Sequence, residues 1–165
     1  MMTIKMVEGD LLKESDVDVI VNTVNCVGVM GKGIALQFKK KWPENFKAYA
    51  DACKRKEVKT GKMHVFNAGA LATPKFVINF PTKDHWRGKS KVEYITEGLK
   101  DLVKVIKELN IHSIALPPLG CGNGGLEWEL VKELIEKSFS TIPEVEVRLY
   151  APDGAPKAKD MVVKT

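Results

Sequence analysis

The sequence predicts an α/β domain built on a mixed, largely parallel sheet, and three observations carry that reading. Short apolar runs bounded by turn residues alternate with stretches of helical period. Several of those runs are apolar at nearly every position, as strands covered on both faces are. Two glycine-rich loops each follow a strand and precede a helix, and open sheets of this class bind ligands at the carboxyl ends of their strands.

In chain order, residues 4–7 and 17–21 are the first two strands, the second running into a polar bend that holds Asn22 and Asn25. A helix is predicted over 33–41, where Ile34, Phe38 and Trp42 share one face and Pro43 disfavours continuation. Another follows over about 44–54, and strands follow at 63–66 and 76–80. Over 91–110 the residues Val92, Ile95, Leu99, Leu102, Ile106 and Leu109 recur at helical spacing with charges between them, an amphipathic helix. After a strand at 114–116, the last helix spans 128–139, with Val131, Leu134, Ile135 and Ser138 on one face, and the last strand spans 145–150. Residues 151–157 are turn-rich. No repeat, low-complexity tract or linker interrupts the chain, so a single domain over 1–165 is expected.

At 165 residues, with 44% hydrophobic and 28% charged, the chain can bury a core of its own and is not of the disordered class. No apolar run reaches the ~18 residues of a membrane span and no signal-peptide stretch opens the chain, so no membrane partner and a cytoplasmic location are expected. Cys26, Cys53 and Cys121 form no C-x-x-C pair, and His64, His85 and His112 lie at no ligand spacing; reduced thiols and no metal follow. The net charge of +5 favours an anionic partner, though so modest an excess also serves plain solubility.

The first glycine loop, Gly28-Val29-Met30-Gly31-Lys32-Gly33, lets backbone N–H groups approach a ligand, and the helix behind it adds a positive dipole end suited to phosphate. Glycines also simply permit a tight strand-to-helix turn. Two known phosphate loops are excluded: a P-loop needs Ser or Thr after the lysine, where Gly33 follows Lys32, and a dinucleotide fingerprint needs G-x-G-x-x-G, where the spacing here is reversed. The second loop, Leu119-Gly120-Cys121-Gly122-Asn123-Gly124-Gly125, repeats the arrangement. Two such loops in one small domain can grip a diphosphate from opposite sides.

Together, Gly9-Asp10-Leu11, Val21-Asn22-x-x-Asn25, Met30-Gly31-Lys32-Gly33-Ile34-Ala35 and Leu119-Gly120-Cys121-Gly122 resemble the macrodomain pattern, in this order and over nearly the whole chain. Within that family, residues 31–39 and the stretch Asn79-Phe80-Pro81-Thr82-Lys83-x-His85-Trp86-Arg87 resemble the DarG antitoxin group, related to the terminal ADP-ribose protein glycohydrolases. The resemblance implies a three-layer α/β/α fold, ADP-ribose as ligand or product, and no further cofactor. It implies that Asp10, with Leu11 beside it, receives the adenine amino group. Asn25 meets the distal ribose with Asn22 supporting it, and Gly31, Lys32, Gly33 and Ile34 wrap one side of the diphosphate and distal ribose while Gly120, Cys121, Gly122 and Asn123 wrap the other. Read as residues alone, Asp10 serves equally as a helix cap and Asn25 as a brace of its own loop.

The loop that holds Lys83 also carries His85, Trp86, Arg87, Lys89 and Lys91, cations interleaved with an aromatic as a nucleic-acid strand requires, or as a solvated surface loop displays. In the glycohydrolase relatives a lysine at this place attacks the anomeric carbon. Such a lysine must be neutral, a state that a nearby cation such as Arg87 favours; protonated, it would instead donate to the departing base. Relatives acting on protein carry an aspartate after G-C-G, where this chain has Asn123-Gly124-Gly125, which turns the reading toward DNA. The expected function is removal of ADP-ribose from thymidine in single-stranded DNA, opposing a DNA-modifying toxin as partner. The alternatives are a non-catalytic ADP-ribose reader, and a hydrolase of ADP-ribosylated protein or acyl-ADP-ribose.

Overall fold

The strands β1 (Thr3–Val7), β2 (Val19–Val24), β3 (His64–Asn67), β4 (Phe76–Pro81), β5 (Ser113–Leu116) and β6 (Glu146–Tyr150) pair in the order β1-β6-β5-β2-β4-β3. The pairing is parallel throughout except between β3 and β4, so the sheet is mixed and largely parallel. The helices are α1 (Gly33–Lys41), α2 (Pro43–Lys54), α3 (Val92–Glu108) and α4 (Trp128–Phe139). This computed structural model describes residues 3–31 and 33–152, without the side chains of Thr3 and Asn123.

Strand parity sorts the core into two faces. Val19 and Val21 of β2, Ile78 and Phe80 of β4, and Ile114 and Leu116 of β5 pack with Ile95, Leu99, Leu102 and Ile106 of α3 and Val131, Ile135 and Phe139 of α4. The alternate residues Ile20, Val77 and Ala115 turn to the opposite face, where Ile34 and Phe38 of α1 and Trp42 just after it cover them. The Phe38 and Trp42 rings meet at 5.2 Å, as the shared helical face requires. The sheet is therefore the middle of three layers. Where α3 crosses β4, Gly98 is needed because a Cβ there would come within 2.3 Å of the Phe80 ring.

Several boundaries differ from the sequence reading. Residue 17 is buried but precedes β2, because the carbonyl of Asp18 turns to accept from Lys75 and Phe76 before the ladder begins. At its other end β2 continues through Asn22, Thr23 and Val24, in register with Asn79, Phe80 and Pro81, where a polar bend was expected. A buried asparagine is tolerated in the strand because its Nδ2 donates to Asn79 within the core, as described below. The amphipathic helix α3 also stops early, at Glu108, and Asn110 takes a left-handed φ of 55°.

The connections position the site. After β2 the chain winds toward β4 and β3, and after β5 it winds toward β6, so the sheet reverses direction between β2 and β5. Those two strands pair only at Val19 with Ile114 and Ile20 with Ala115. Beyond that point they separate, opening a crevice at their carboxyl ends.

Candidate functional site

A cleft of about 830 Å³ fills this crevice. It draws Asp10 and Leu11 from the turn after β1, Asn25, Gly31, Gly33 and Ile34 from the first glycine loop and α1, Lys83 and Trp86 from the loop after β4, and Gly120, Cys121 and Gly122 from the second glycine loop. The two loops read from the sequence as opposing phosphate cradles thus line one cavity, and Lys83 lies on its wall. Lys32 lies outside the described residues, as does the side chain of Asn123, and so do residues 153–157 of the turn-rich C-terminal stretch.

Asn25 follows β2 and is 7% exposed. Its Oδ1 accepts from the backbone N–H of Val27 at 3.0 Å and of Val29 at 3.3 Å, and from the hydroxyl of Tyr49 at 2.8 Å. Its Nδ2 donates to the Val29 carbonyl at 2.8 Å. Asn25 therefore braces its own loop, and the same bonds leave one N–H of Nδ2 for an acceptor in the cleft it lines. Asn22 occupies a different place. It is fully buried and does not line the cleft; its Nδ2 donates to Asn79 Oδ1 at 3.2 Å, and Asn79 in turn exchanges bonds with Asn45 of α2. By strand parity Asn22 and Asn79 face α2, forming a polar layer beneath the site.

Lys83 sits between two backbone clamps. The N–H of Thr82 donates to Val24 at 3.0 Å, and the N–H of Cys26 donates to Asp84 at 3.1 Å. The residues flanking Lys83 are tied to the residues flanking Asn25, which carries the lysine to the wall of the cleft beside the asparagine loop. Burial, then Asp84 and Cys53 nearby, pushes the Cys26 thiol up to about 11, and burial pushes Cys121 up to about 11 as well. Both stay protonated near neutral pH, so neither supplies a thiolate nucleophile.

The second cradle depends on glycine for space and for backbone angle. Gly120 has φ +73°, and a Cβ on it would lie 2.8 Å from Leu126 and 3.1 Å from Ile95. A 3-10 turn over Gly122–Gly124 then leads toward α4. The N–H of Ser90 donates to the Gly124 carbonyl at 3.0 Å, which docks the basic loop onto this cradle.

Asp10 caps the 3-10 turn Leu11–Lys13 by accepting from the Leu12 N–H at 3.0 Å, and it also lines the cleft, so capping and ligand contact are compatible. In the basic loop, His85, Trp86, Arg87 and Lys89 are exposed, and among them only Trp86 lines the cavity. The His85 and Trp86 rings stack at 5.5 Å, and the Arg87 guanidinium lies 4.5 Å from the Trp86 ring centre. The cluster presents a stacked, cationic rim to the mouth of the cleft.

Sequence reasoning passed over Thr82, Gln37 and Tyr150, which also line the cleft, and Tyr49 and Asn45, which support it. The available signal was the pair Asn45 and Tyr49, four apart on α2 at positions that an amphipathic helix normally fills with apolar residues. Among the described residues, no three His, Cys, Asp or Glu side chains gather as a metal site would, and no helix is long and apolar enough to cross a membrane.

Comparison with known proteins agrees with this geometry. The Macro domain family model matches residues 21–135. A DNA ADP-ribosyl glycohydrolase of Mycobacterium tuberculosis is 58% identical over 150 residues, covering 91% of this chain and 42% of the relative. A DNA ADP-ribosyl transferase-DNA ADP-ribosyl glycohydrolase fusion protein of Thermosipho africanus is 35% identical over 164 residues, covering 90% of this chain and 42% of the relative. The chain thus spans less than half the length of these curated relatives. The solved macrodomain of Mycobacterium tuberculosis DarG superposes with a TM-score of 0.90 at 56% identity, covering 93% of this chain and 100% of that one. Family match, three-layer fold and paired glycine cradles coincide, and the chain belongs to the macrodomain family, with its resemblance to the DarG members of that family extending over nearly its whole length.

Proposed function

We propose that this macrodomain is a glycohydrolase that removes ADP-ribose from thymidine bases in single-stranded DNA, and that it opposes a DNA ADP-ribosyltransferase toxin. The observation that carries the reading is Lys83, clamped beside Asn25 on the wall of a cleft that two glycine cradles line. Relatives named for DNA ADP-ribosyl glycohydrolysis, one of them fused to a DNA ADP-ribosyl transferase, support both the reaction and the partner.

In this reading the cradles hold the diphosphate, Asp10 receives the adenine amino group, and Asn25 orients the distal ribose. The neutral Lys83 amine places its lone pair on the anomeric carbon. The bond from that carbon to the base breaks, and its electron pair goes to the base nitrogen, which takes up a proton. Water then adds at the anomeric carbon and displaces the amine, releasing ADP-ribose. The net change consumes one water and yields ADP-ribose and unmodified base. At the mouth of the cavity, Trp86 with His85, Arg87 and Lys89 would hold the flanking strand by stacking and phosphate attraction.

The test is a substrate panel under one set of conditions: an ADP-ribosylated oligonucleotide, an ADP-ribosylated protein and O-acetyl-ADP-ribose. Release of ADP-ribose from the oligonucleotide at least tenfold faster than from the others supports the proposal. Tight binding of the oligonucleotide with no product over hours would make the protein a reader instead.

A further inference from the structure

We infer that Tyr49 is a positioning residue for this reaction, its buried hydroxyl fixing which atom of Asn25 faces the cleft and holding Asn25 in register with Lys83. The inference rests on the functional reading above.

Tyr49 is fully buried on α2, with its ring among Val24, Met30, Ala52 and Val58. Its hydroxyl lies 2.7 Å from the Asn25 carbonyl and 2.8 Å from Asn25 Oδ1. One proton serves both acceptors. Burial holds the Tyr49 phenol well above its ordinary range, so it remains a donor at any working pH.

The direction of the Asn25 amide follows. Oδ1 meets three donors, from Val27, Val29 and Tyr49, while Nδ2 meets the Val29 carbonyl. Turning the amide over would set its N–H groups against those donors and its oxygen against a carbonyl, which no single hydrogen bond to a ligand would offset. Asn25 therefore offers an N–H to the cleft, suited to a ribose hydroxyl oxygen as acceptor.

Tyr49 shares its helix with Asn45, four residues earlier. Asn45 Nδ2 donates to Asn79 Oδ1 at 3.2 Å and Asn79 Nδ2 donates back at 2.8 Å. Asn79 lies on β4, the strand that delivers Lys83. One helix face thus reaches both strands whose ends carry the reacting groups, and Tyr49 links it to the residue proposed to hold the sugar.

The experiment compares the parent chain with Tyr49→Phe, Asn25→Ala and the double variant, measuring ADP-ribose affinity, kcat and KM on an ADP-ribosylated oligonucleotide, and Tm. Tyr49→Phe keeps the ring and is expected to lower kcat about tenfold with a smaller change in KM. In the Asn25→Ala background the same change should have no further effect, since Tyr49 acts through Asn25. Unchanged kcat in Tyr49→Phe, or a full additional loss in the double variant, overturns the assignment. Asn25→Asp gives an independent check should Tyr49→Phe fold poorly. It keeps the acceptors for Val27, Val29 and Tyr49 but replaces Nδ2 with oxygen, which loses the bond to the Val29 carbonyl and presents an acceptor to the cleft, so ADP-ribose affinity should fall at least tenfold, and unchanged affinity overturns the inference. A parent chain that neither binds ADP-ribose nor releases it overturns the functional reading and the inference together.

Discussion

The Cys26 thiol donates to the Lys83 carbonyl at 3.6 Å while the Cys26 N–H donates to Asp84 at 3.1 Å, so a residue of the loop that Asn25 braces is stitched directly to the loop of the proposed catalytic lysine. The thiol bond is weak and the amide bond carries most of the link. Cys26→Ala, which keeps the amide, is expected to lower turnover by less than about fivefold, as measured by initial rates. Cys26→Pro, which removes the N–H, is expected to lower it far more.

The Cys26 and Cys121 thiols are both pushed up to about 11, so their thiolate fraction near neutral pH is small and grows about tenfold with each added pH unit. Alkylation of Cys26 and Cys121 by iodoacetamide, followed by mass spectrometry, should be slow at pH 7.5 and accelerate steadily toward pH 10. Rapid labelling at pH 7.5 would contradict the burial assigned to them.

Gly120 combines a positive φ with neighbours that a Cβ would strike. Gly120→Ala should therefore cost about 1–3 kcal/mol of stability and abolish measurable ADP-ribose binding, because the loop must shift out of the cavity. Calorimetry of the folded variant checks this. Binding at parental affinity would show that the cradle does not depend on this backbone.

Trp86 lines the mouth of the cleft, and His85 and Arg87 lie against its ring. If it stacks on a neighbouring base, Trp86→Ala should raise KM for a long modified oligonucleotide by about tenfold and change that for a modified single nucleoside much less. Equal effects on both substrates would remove the strand-holding role.

His64 Nδ1 lies 3.0 Å from the Asn79 amide nitrogen, which donates to it, so a proton on Nδ1 would set two donors against each other. Burial, then Arg55, holds the imidazole below its ordinary value; Glu57 acts the opposite way, and the Tyr49 ring packs against it. The unfolded chain binds that proton more readily, so this contribution to stability is complete above about pH 6.5 and is lost as pH falls through the folded value. Between pH 7.5 and 5.5 the parent should lose about 2–3 °C more in Tm than His64→Gln does. Identical losses would contradict the neutral, accepting imidazole.

Much of this arrangement was legible in the sequence because period and glycine spacing report directly on backbone geometry. The inner face of α1 follows from Ile34, Phe38 and Trp42, and the paired cradles follow from two glycine runs placed alike between strand and helix. Asn22 was harder to place. Its role depends on which side of β2 it faces and on Asn79 and Asn45, 57 and 23 residues away in sequence, and no local pattern encodes that meeting. Tyr49 escaped for the same reason, since its polar atom matters only through the loop it reaches. Asn25 was legible as a polar residue at a strand end, but its bracing of its own loop from a place on the cleft wall required the hydrogen-bond geometry.

Lys83 carries the bond-breaking step of the proposed reaction. A single-turnover assay of Lys83→Ala on an ADP-ribosylated single-stranded oligonucleotide, paired with a calorimetric measurement of ADP-ribose binding, tests it most directly. The expected result is ADP-ribose affinity within about threefold of the parent and release slowed by at least ~1000-fold. Release at the parental rate would contradict it.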